Sequence, residues 1–293
     1  MAGIAELARY SGPLQRLGGL TNIVFRAGNF CVRIPGKGTE EYIDRANEAG
    51  AARAAAAAGV SPEVIHADPK SGIMVTRFVD GAVTMTPELF RSRAGAASRA
   101  GRAFRSLHDS GARFEFRFNL FAMIDDYLKL LGEKRVQLPV GYHDVLGEAE
   151  SVRAAISARA LPLAACHCDP LCENFLDTGE RMWIVDWEYS GMNDPLWDLG
   201  DLAVEAGFDG PQEEEMVMAY FGREAHAEER GRVVVYKAMC DLLWTLWGLI
   251  QHANNNPADD FWTYSITRFE RCKALMADDS FAGYVAAVAK GRA

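Results

Sequence analysis

The residues best suited to chemistry lie in two short segments of the sequence. His167, Asp169 and Asn174 form the pattern H-x-D-x-x-x-x-N, and Asp186 follows an apolar run twelve residues after Asn174. The Asp169 carboxylate could orient a hydroxyl group and accept its proton. Asn174 and Asp186 supply one amide oxygen and one carboxylate, and Mg²⁺ prefers such hard oxygen ligands.

The elements around these residues predict that they lie close together. A strand over 174–176, a turn over 177–180 and a return strand over 182–185 predict a hairpin that brings Asn174 beside Asp186 at one end. A carboxylate followed by two metal ligands at this spacing is typical of kinase-type phosphoryl transfer. The first motif alone is short enough to arise by chance. Its combination with Asp186 is much rarer, so we favour the catalytic interpretation over ordinary loop-end residues.

The start of the chain predicts a sheet that could hold a nucleotide. β-rich runs cover 14–17, 23–27 and 30–34, and Gly18, Gly19, Thr21 and Asn22 lie in the break between the first two. A glycine-rich turn can place backbone N–H groups over phosphates without interference from side chains. Glycines are common in hairpins, so these glycines alone are weak evidence for nucleotide binding. The stronger evidence is the position of the turn just before the next strands.

An ion pair is predicted between this sheet and the first long helix. Arg33 lies on the third strand, where a kinase fold places a cation for the α- and β-phosphates of ATP. A solvent-facing Arg33 and a phosphate contact from Lys37 are the alternatives. The helix is predicted over 40–58, and Glu48 is well placed to face Arg33. Glu40 and Glu41 fall in its first turn, where the helix dipole already explains acidic residues.

The rest of the chain predicts two lobes. Strands at 63–67 and 73–78 complete a five-stranded antiparallel sheet, and Phe78 and Val79 begin a hinge that would meet the adenine. The pattern then becomes helical, over 87–110, 120–131, 142–159, 233–252, 260–276 and 281–289. We therefore predict an α+β, protein-kinase-like fold. Residues 1–79 form the nucleotide lobe, residues 80–293 form a larger helical lobe for catalysis and the acceptor, and the hinge lies near 78–82.

Two further groups of residues have both a structural and a functional interpretation. Asp198, Asp201 and Glu205 share one face of a helix, which is usually a solvated face but here follows the metal ligand directly and could bind a cation. Trp244 and Trp247 share another helix face. Such pairs are most often core, but aromatic faces also attract quaternary ammonium groups.

The cysteines and histidines are expected to be structural. Cys166, His167, Cys168 and Cys172 could suggest zinc, but a second ligand cluster is missing, so reduced, partly buried thiols are favoured. We expect His167 to support the loop by hydrogen bonding. His108 is expected to pack or cap at the end of a helix.

Composition limits the function classes. The 293 residues carry a formal net charge of −9, which argues against a nucleic-acid partner and weakly favours a cationic small substrate. The longest apolar stretch, 242–250, is far short of a membrane span, and no signal peptide is visible. We expect a cytoplasmic protein without a membrane partner, and a homodimer remains open.

Taken together, the motifs resemble the choline/ethanolamine kinase family, within the wider aminoglycoside-phosphotransferase-like kinases, and most of all its bacterial branch. The similar segments are the nucleotide loop at 18–22, the strand at 32–36 with Arg in place of the usual Lys, the catalytic loop (Brenner's motif) at 167–174, the choline kinase motif at 185–205 and the Trp-pair segment at 243–248. Many kinases share the catalytic loop. The Asp-Trp-Glu-Tyr run and the Trp pair narrow the resemblance to this branch.

The resemblance implies roles for individual residues. It implies Asp169 as the catalytic base and Asn174 and Asp186 as Mg²⁺ ligands. Around the acceptor it implies Glu188 near a second metal, and an amine pocket bounded by Tyr189, Glu205, Trp244 and Trp247. The sequence departs from the family's pattern at Cys168, where these kinases often have Asn. This difference slightly weakens the assignment to true choline kinases.

The predicted reaction is transfer of the ATP γ-phosphate, with Mg²⁺, to the hydroxyl group of a small amino alcohol. Choline is the favoured acceptor. Two alternatives stay open. The same fold could act on ethanolamine, an aminoglycoside or a sugar-like alcohol, or the protein could bind nucleotide or choline without catalysis.

Overall fold

The computed structural model describes residues 5–17, 22–36 and 43–291 and shows a small β-rich lobe followed by a larger helical lobe. The elements of the small lobe, in chain order, are α1 (Ala5–Ala8), β1 (Gln15–Arg16), β2 (Ile23–Ala27), β3 (Phe30–Ile34), α2 (Arg45–Ala57), β4 (Val64–Ala67) and β5 (Met74–Arg77). The predicted α+β class, with its N-terminal sheet and helical remainder, is confirmed.

The sheet of the small lobe is antiparallel, with strand order β1-β2-β3-β5-β4. In β3, Arg33 pairs across the sheet with Val24 on one side and Met74 on the other, so it sits on a central strand rather than an edge. A small apolar cluster stabilises the sheet, formed by Leu7, Ala27, Phe30, Val32 and Val75. The predicted strands agree with the observed ones to within about two residues.

Helix α2 begins later than the sequence analysis predicted. It starts at Arg45 rather than at 40, because the Asp44 side chain accepts hydrogen bonds from the N–H groups of Ala46 and Asn47 and so caps the helix. Gly59 follows its end with a φ of 76°, as expected for a stop signal. Glu40 and Glu41 lie outside the described residues, as do Lys37, Gly18, Gly19 and Thr21.

The large lobe begins with short strand β6 and continues mainly as helices. Its elements are β6 (Val83–Thr84), α3 (Pro87–Ser92), α4 (Ala96–His108), α5 (Leu120–Glu133), α6 (Tyr142–Ala158), β7 (Ala164–Cys166), β8 (Phe175–Asp177), β9 (Met182–Ile184), β10 (Gly191–Asn193), α7 (Leu196–Glu205), α8 (Gly210–Phe221), α9 (Ala227–Ala253), α10 (Phe261–Met276) and α11 (Phe281–Lys290).

Several helices of the large lobe differ from the sequence prediction, including α9, which begins at Ala227 rather than at 233. The single helix expected over 87–110 is two helices, α3 and α4, separated at Gly95, which has a φ of 72°. The break allows Arg93 and Arg99 to reach the same buried carboxylate, that of Asp177. Helix α8 lies where the sequence analysis assigned no element, although a capping box of Asp209 and Gln212 marks its start.

Helix α9 forms the centre of the large lobe. Its 27 residues pass the length and hydropathy test for a membrane span, which the short apolar stretch at 242–250 did not suggest. However, 89% of its apolar window is buried inside the protein. The hydropathy of α9 is therefore explained by its place in the core.

Candidate active site

The predicted hairpin is present and brings the two proposed metal ligands together. Strands β8 and β9 are antiparallel, and Val185 N–H donates to the Asn174 carbonyl across 2.9 Å, so Asp186 follows directly beside Asn174. The Asn174 side-chain amide donates to the backbone oxygen of Asp169 at 3.1 Å. This bond orients the amide so that its oxygen is available to a metal ion.

One buried carboxylate holds the catalytic loop in place. The two Asp198 carboxylate oxygens accept from the backbone N–H groups of His167 and Cys168, each at 2.8 Å, and one of them also meets His108 Nε2 at 3.0 Å. His167 Nε2 in turn donates to the Val185 carbonyl at 2.9 Å. His167 therefore supports the loop as predicted, and Asp198 positions the loop rather than facing solvent or a cation.

Two residues of this site have left-handed backbone conformations. Cys168, just before the proposed base, has a φ of 69°, and the proposed metal ligand Asp186 has a φ of 67°. Such conformations are uncommon for residues other than Gly, Asn and Asp. The departure of Cys168 from the usual Asn thus falls at a position where the backbone itself favours Asn.

Burial brings the pKa of Asp169, the proposed base, closer to neutral pH. Burial, followed by the nearby carboxylates of Glu205 and Asp186, raises the pKa of Asp169 to about 8, and the Arg268 guanidinium opposes this shift. A general base is most effective when its pKa lies near the working pH. The position of Asp169 therefore fits the role that its motif predicts.

Arg33 joins the sheet to the metal side of the site. Its guanidinium forms an ion pair with Glu48, as predicted, and also contacts Asp186 Oδ1 at 2.9 Å. The Glu48 side chain is only 1% exposed. Although burial disfavours a charge at Arg33, the carboxylates of Asp186 and Glu48 outweigh it and raise the pKa of Arg33.

A second arginine, which was not predicted from the sequence, lies at this place. Arg45 contacts Glu48 at 2.8 Å and lies 3.6 Å from Glu188. Its position three residues before Glu48, on the same face of α2, is the signal that could have identified it. Glu188, predicted as a substrate contact near a second metal, thus lies beside Glu48 and Asp186.

The carboxylates on this side fit a magnesium ion. Ligand oxygens of Glu48, Asp186 and Glu188 all lie within 4.8 Å of one another. Glu188 Oε2 is buried and, within the described part of the chain, has no hydrogen-bond partner, so it can accept a bond to a metal ion. Burial, and then the Asp186 carboxylate, raise the pKa of Glu188 well above its ordinary value. A set made of oxygen donors alone suits Mg²⁺ better than a soft metal.

The predicted nucleotide contacts are only partly within the described residues. Asn22 is buried, and its side-chain oxygen has no hydrogen-bond partner among the residues that the structure describes. At the hinge, the Phe78 N–H donates to the Asn29 carbonyl and is therefore used within the protein. The Val79 carbonyl accepts from Ala82 N–H in a turn at 3.4 Å.

The predicted aromatic residues come together in one cluster. Trp247 Nε1 donates to the Tyr189 hydroxyl at 3.1 Å, and the Tyr189 ring meets the Trp244 ring edge-on at 5.5 Å between centroids. Two aromatic residues of α10, Phe261 and Tyr264, complete the cluster against Trp247. Their three-residue spacing, like that of the Trp pair, could have predicted them.

Glu205 lies near this aromatic cluster, but its carboxylate is paired with an arginine side chain of the protein. Arg268 forms ion pairs with Glu205 and with Asp241, and its guanidinium lies over the Tyr264 ring at 4.6 Å from the centroid. Sequence reasoning missed Arg268. One turn earlier on α7, Asp201 is fully buried, and within the described part of the chain one of its carboxylate oxygens has no hydrogen-bond partner.

The cysteines do not form the zinc cluster that was considered as an alternative. All six are free thiols, and Cys166, Cys168 and Cys172 are buried. Burial, followed by the Asp198 carboxylate, raises the pKa of both Cys166 and Cys168 well above the ordinary value. Cys166 lies near His108 and Asp198, but those side chains are already hydrogen-bonded to each other and to the catalytic loop.

Comparison with known proteins assigns the chain to a family. The model of the phosphotransferase enzyme family matches residues 14–234. A crystal structure of a choline/ethanolamine kinase family protein from Mesorhizobium loti is 69% identical, with a TM-score of 0.94, over 99% of this chain and 97% of that one. This chain belongs to the choline/ethanolamine kinase family.

More distant members of the choline/ethanolamine kinase family share the same fold. The choline kinase LicA from Streptococcus pneumoniae is 25% identical, with a TM-score of 0.77, over 94% of this chain and 96% of that one. Protein LicA from Haemophilus influenzae is 25% identical over 93% of this chain and 82% of its own length. The family and its fold make this protein a phosphotransferase with an alcohol group as acceptor, and the alternative of binding without catalysis is set aside.

Proposed function

We propose that this enzyme transfers the γ-phosphate of ATP to the hydroxyl group of choline. The observation that carries the proposal is the aromatic cluster of Tyr189, Trp244, Trp247, Phe261 and Tyr264. Tyr264 lies near enough to Asp169 that, after burial and Glu205, the Asp169 carboxylate also raises the pKa of the Tyr264 hydroxyl group. A quaternary ammonium group offers no N–H donors, so it is recognised by aromatic faces and by nearby negative charge. The name of the pneumococcal relative, a choline kinase, supports the same acceptor.

The residues of the site divide the work of phosphoryl transfer. Asp169 orients the acceptor hydroxyl and takes its proton as the new P–O bond forms. Arg33 would hold the α- and β-phosphates, with Glu48 fixing its guanidinium. Asn174 and Asp186, with Glu188 nearby, would hold Mg²⁺, which neutralises charge on the β- and γ-phosphates when bound. The remaining rate enhancement comes from positioning.

Ethanolamine is the second candidate acceptor, because its ammonium group, unlike that of choline, carries N–H donors. It could donate to Asp201, where one buried carboxylate oxygen has no hydrogen-bond partner among the described residues. An aminoglycoside needs a broad acidic surface, and the compact aromatic cluster argues against it.

The deciding assay measures ADP release with Mg-ATP and choline, ethanolamine and an aminoglycoside in parallel, with Asp169→Asn as the control. We expect turnover with choline that the substitution abolishes. Turnover with ethanolamine alone would shift the assignment to the second candidate and to Asp201. Turnover with neither amine would refute the aromatic cluster as the acceptor site.

A further inference from the structure

Helix α2 lies between the sheet of the small lobe and the large lobe. It packs on β4, and Arg53 donates to the Ala67 carbonyl of that strand at 3.3 Å. Its buried residues Ala51, Ala52 and Ala55, together with Val60 just after it, belong to the main hydrophobic core, which also contains the interior of the large lobe. The contacts of α2 therefore reach both lobes.

Hydrogen bonds fasten the C-terminal end of α2 to the large lobe. Ile184 N–H, on β9, donates to the Val60 carbonyl at 2.8 Å, and Trp187 Nε1 donates to the Ser61 hydroxyl at 3.1 Å. Both donors lie within three residues of the proposed metal ligand Asp186. The end of the helix is thus attached to the hairpin that carries this ligand.

A single side chain fastens the other end. Asn47 is buried, its Nδ2 donates to the Ser190 carbonyl at 3.1 Å, and its Oδ1 accepts from Phe116 N–H at 3.1 Å. Ser190 itself donates through its hydroxyl to the His167 carbonyl in the catalytic loop, at 3.2 Å. One amide therefore uses both its donor and its acceptor to connect α2 with two segments of the large lobe.

We propose that Asn47 is a positioning residue that fixes α2 to the large lobe and thereby holds Glu48 in line with Asp186. Glu48 is the next residue along the helix, so any rotation or shift at Asn47 moves it directly. Asn47 thus ties Glu48 to the large lobe, while the partner of Glu48, Arg33, is carried by the sheet of the small lobe. The proposal rests on the phosphotransferase activity of the family and does not depend on which alcohol is the acceptor.

A double-mutant cycle between Asn47→Ala and Glu48→Gln tests this coupling. Removing both hydrogen bonds of a buried amide should lower kcat/KM for Mg-ATP about tenfold in the wild-type background. In the Glu48→Gln background the same change should cost less than about twofold, because the residue it positions is already disabled. Equal losses in both backgrounds would mean that Asn47 acts independently of Glu48, and the proposal would fail.

Ser61→Ala is the matched control, because it removes a hydrogen bond to the large lobe at the end of α2 farther from Glu48. Ser61→Ala should lower Tm by about as much as Asn47→Ala does. Its effect on kcat/KM should be small, and it should be the same in the wild-type and Glu48→Gln backgrounds. A Ser61→Ala variant that couples to Glu48 as strongly as Asn47→Ala does would show that general loosening of the helix, not positioning by Asn47, explains the kinetics.

Hydrogen exchange on the wild-type protein tests the proposal even if Asn47→Ala does not fold, and it needs no acceptor. The amides of 48–57 should exchange with the slow rates of the hairpin at 175–184, and more slowly than those of 23–34. Exchange of α2 at the rates of the sheet would overturn the proposal. Absence of turnover with any alcohol would refute the acceptor assignment but leave this result intact.

Discussion

Replacing Asp198 by Asn should disable the catalytic loop without touching any group that meets substrate. The side chain is fully buried, and its two oxygens face three donors: the backbone N–H groups of His167 and Cys168 and the ring of His108. Asn has the same shape but turns one oxygen into an N–H donor. In either orientation of the amide, a donor then faces a buried backbone N–H group.

The contacts set the size of the effect. One charge-assisted hydrogen bond is lost, worth about 1.5–3 kcal/mol, and the second loses its charge. The left-handed backbone of Cys168, which is itself unfavourable by about 1–3 kcal/mol, then favours relaxation of the loop. A net cost of about 3 kcal/mol would leave about one molecule in a hundred with a competent loop, so kcat should fall about a hundredfold.

The assay is ADP release at saturating Mg-ATP and acceptor, with thermal unfolding in parallel. Tm should fall by about 5–10 °C. Asp177→Asn is the matched control, because Asp177 is as deeply buried but accepts from Arg93 and Arg99 rather than from the catalytic loop. It should lower Tm and leave kcat nearly unchanged. If Asp198→Asn retains kcat within about threefold, or if Asp177→Asn lowers kcat as much, the anchoring role of Asp198 is wrong.

Three further predictions concern the acceptor, the phosphates and pH. Trp247→Leu should raise the KM for choline about 3- to 30-fold, and Trp247→Phe less, because the ring face remains; an unchanged KM for choline would remove Trp247 from the acceptor site. Arg33→Lys should raise the KM for ATP and lower Tm, since a single ammonium group cannot bridge Glu48 and Asp186 as the planar guanidinium does; wild-type values of both would show that the bridge is unimportant. Because burial and neighbouring carboxylates raise the pKa of Asp169 to about 8, kcat/KM should increase as the pH rises through this value, and a flat profile between about pH 6 and 9 would argue against Asp169 as the base. The same raised pKa means that the folded protein binds a proton more tightly than the unfolded chain, so this group's contribution to stability is present below about pH 4 and is lost as the pH rises towards 8.

The sequence predicted the parts of this site that follow from local rules. The hairpin that joins Asn174 to Asp186 needs only two short strands and a turn, and the Arg33–Glu48 pair needs only a central strand and one helix face. Both are present in the structure. Local rules failed at the start of α2 and at the break between α3 and α4, where a capping Asp and a glycine overrode helix propensity.

What could not be predicted depends on long-range contacts. The acidic helix face at 198–205 was expected either in solvent or around a cation, but each of its three carboxylates has a different role inside the protein. Arg268 lies far along the chain from Glu205, and Asn47 far from Ser190. A side chain's partner across such distances is set by the packing of whole elements, which periodicity alone does not reveal.

The buried thiols around the catalytic loop can also report on motion within this protein. Because Cys166 and Cys168 are sealed from solvent and hold their protons, an alkylating reagent can reach them only when the loop and its surroundings open. The rate at which they are labelled therefore reports how often the catalytic centre opens in the unmodified enzyme. Bound nucleotide or acceptor that closes the site should lower this labelling rate. Such a measurement needs neither an engineered probe nor turnover, and it reads the dynamics at the residue next to the proposed base.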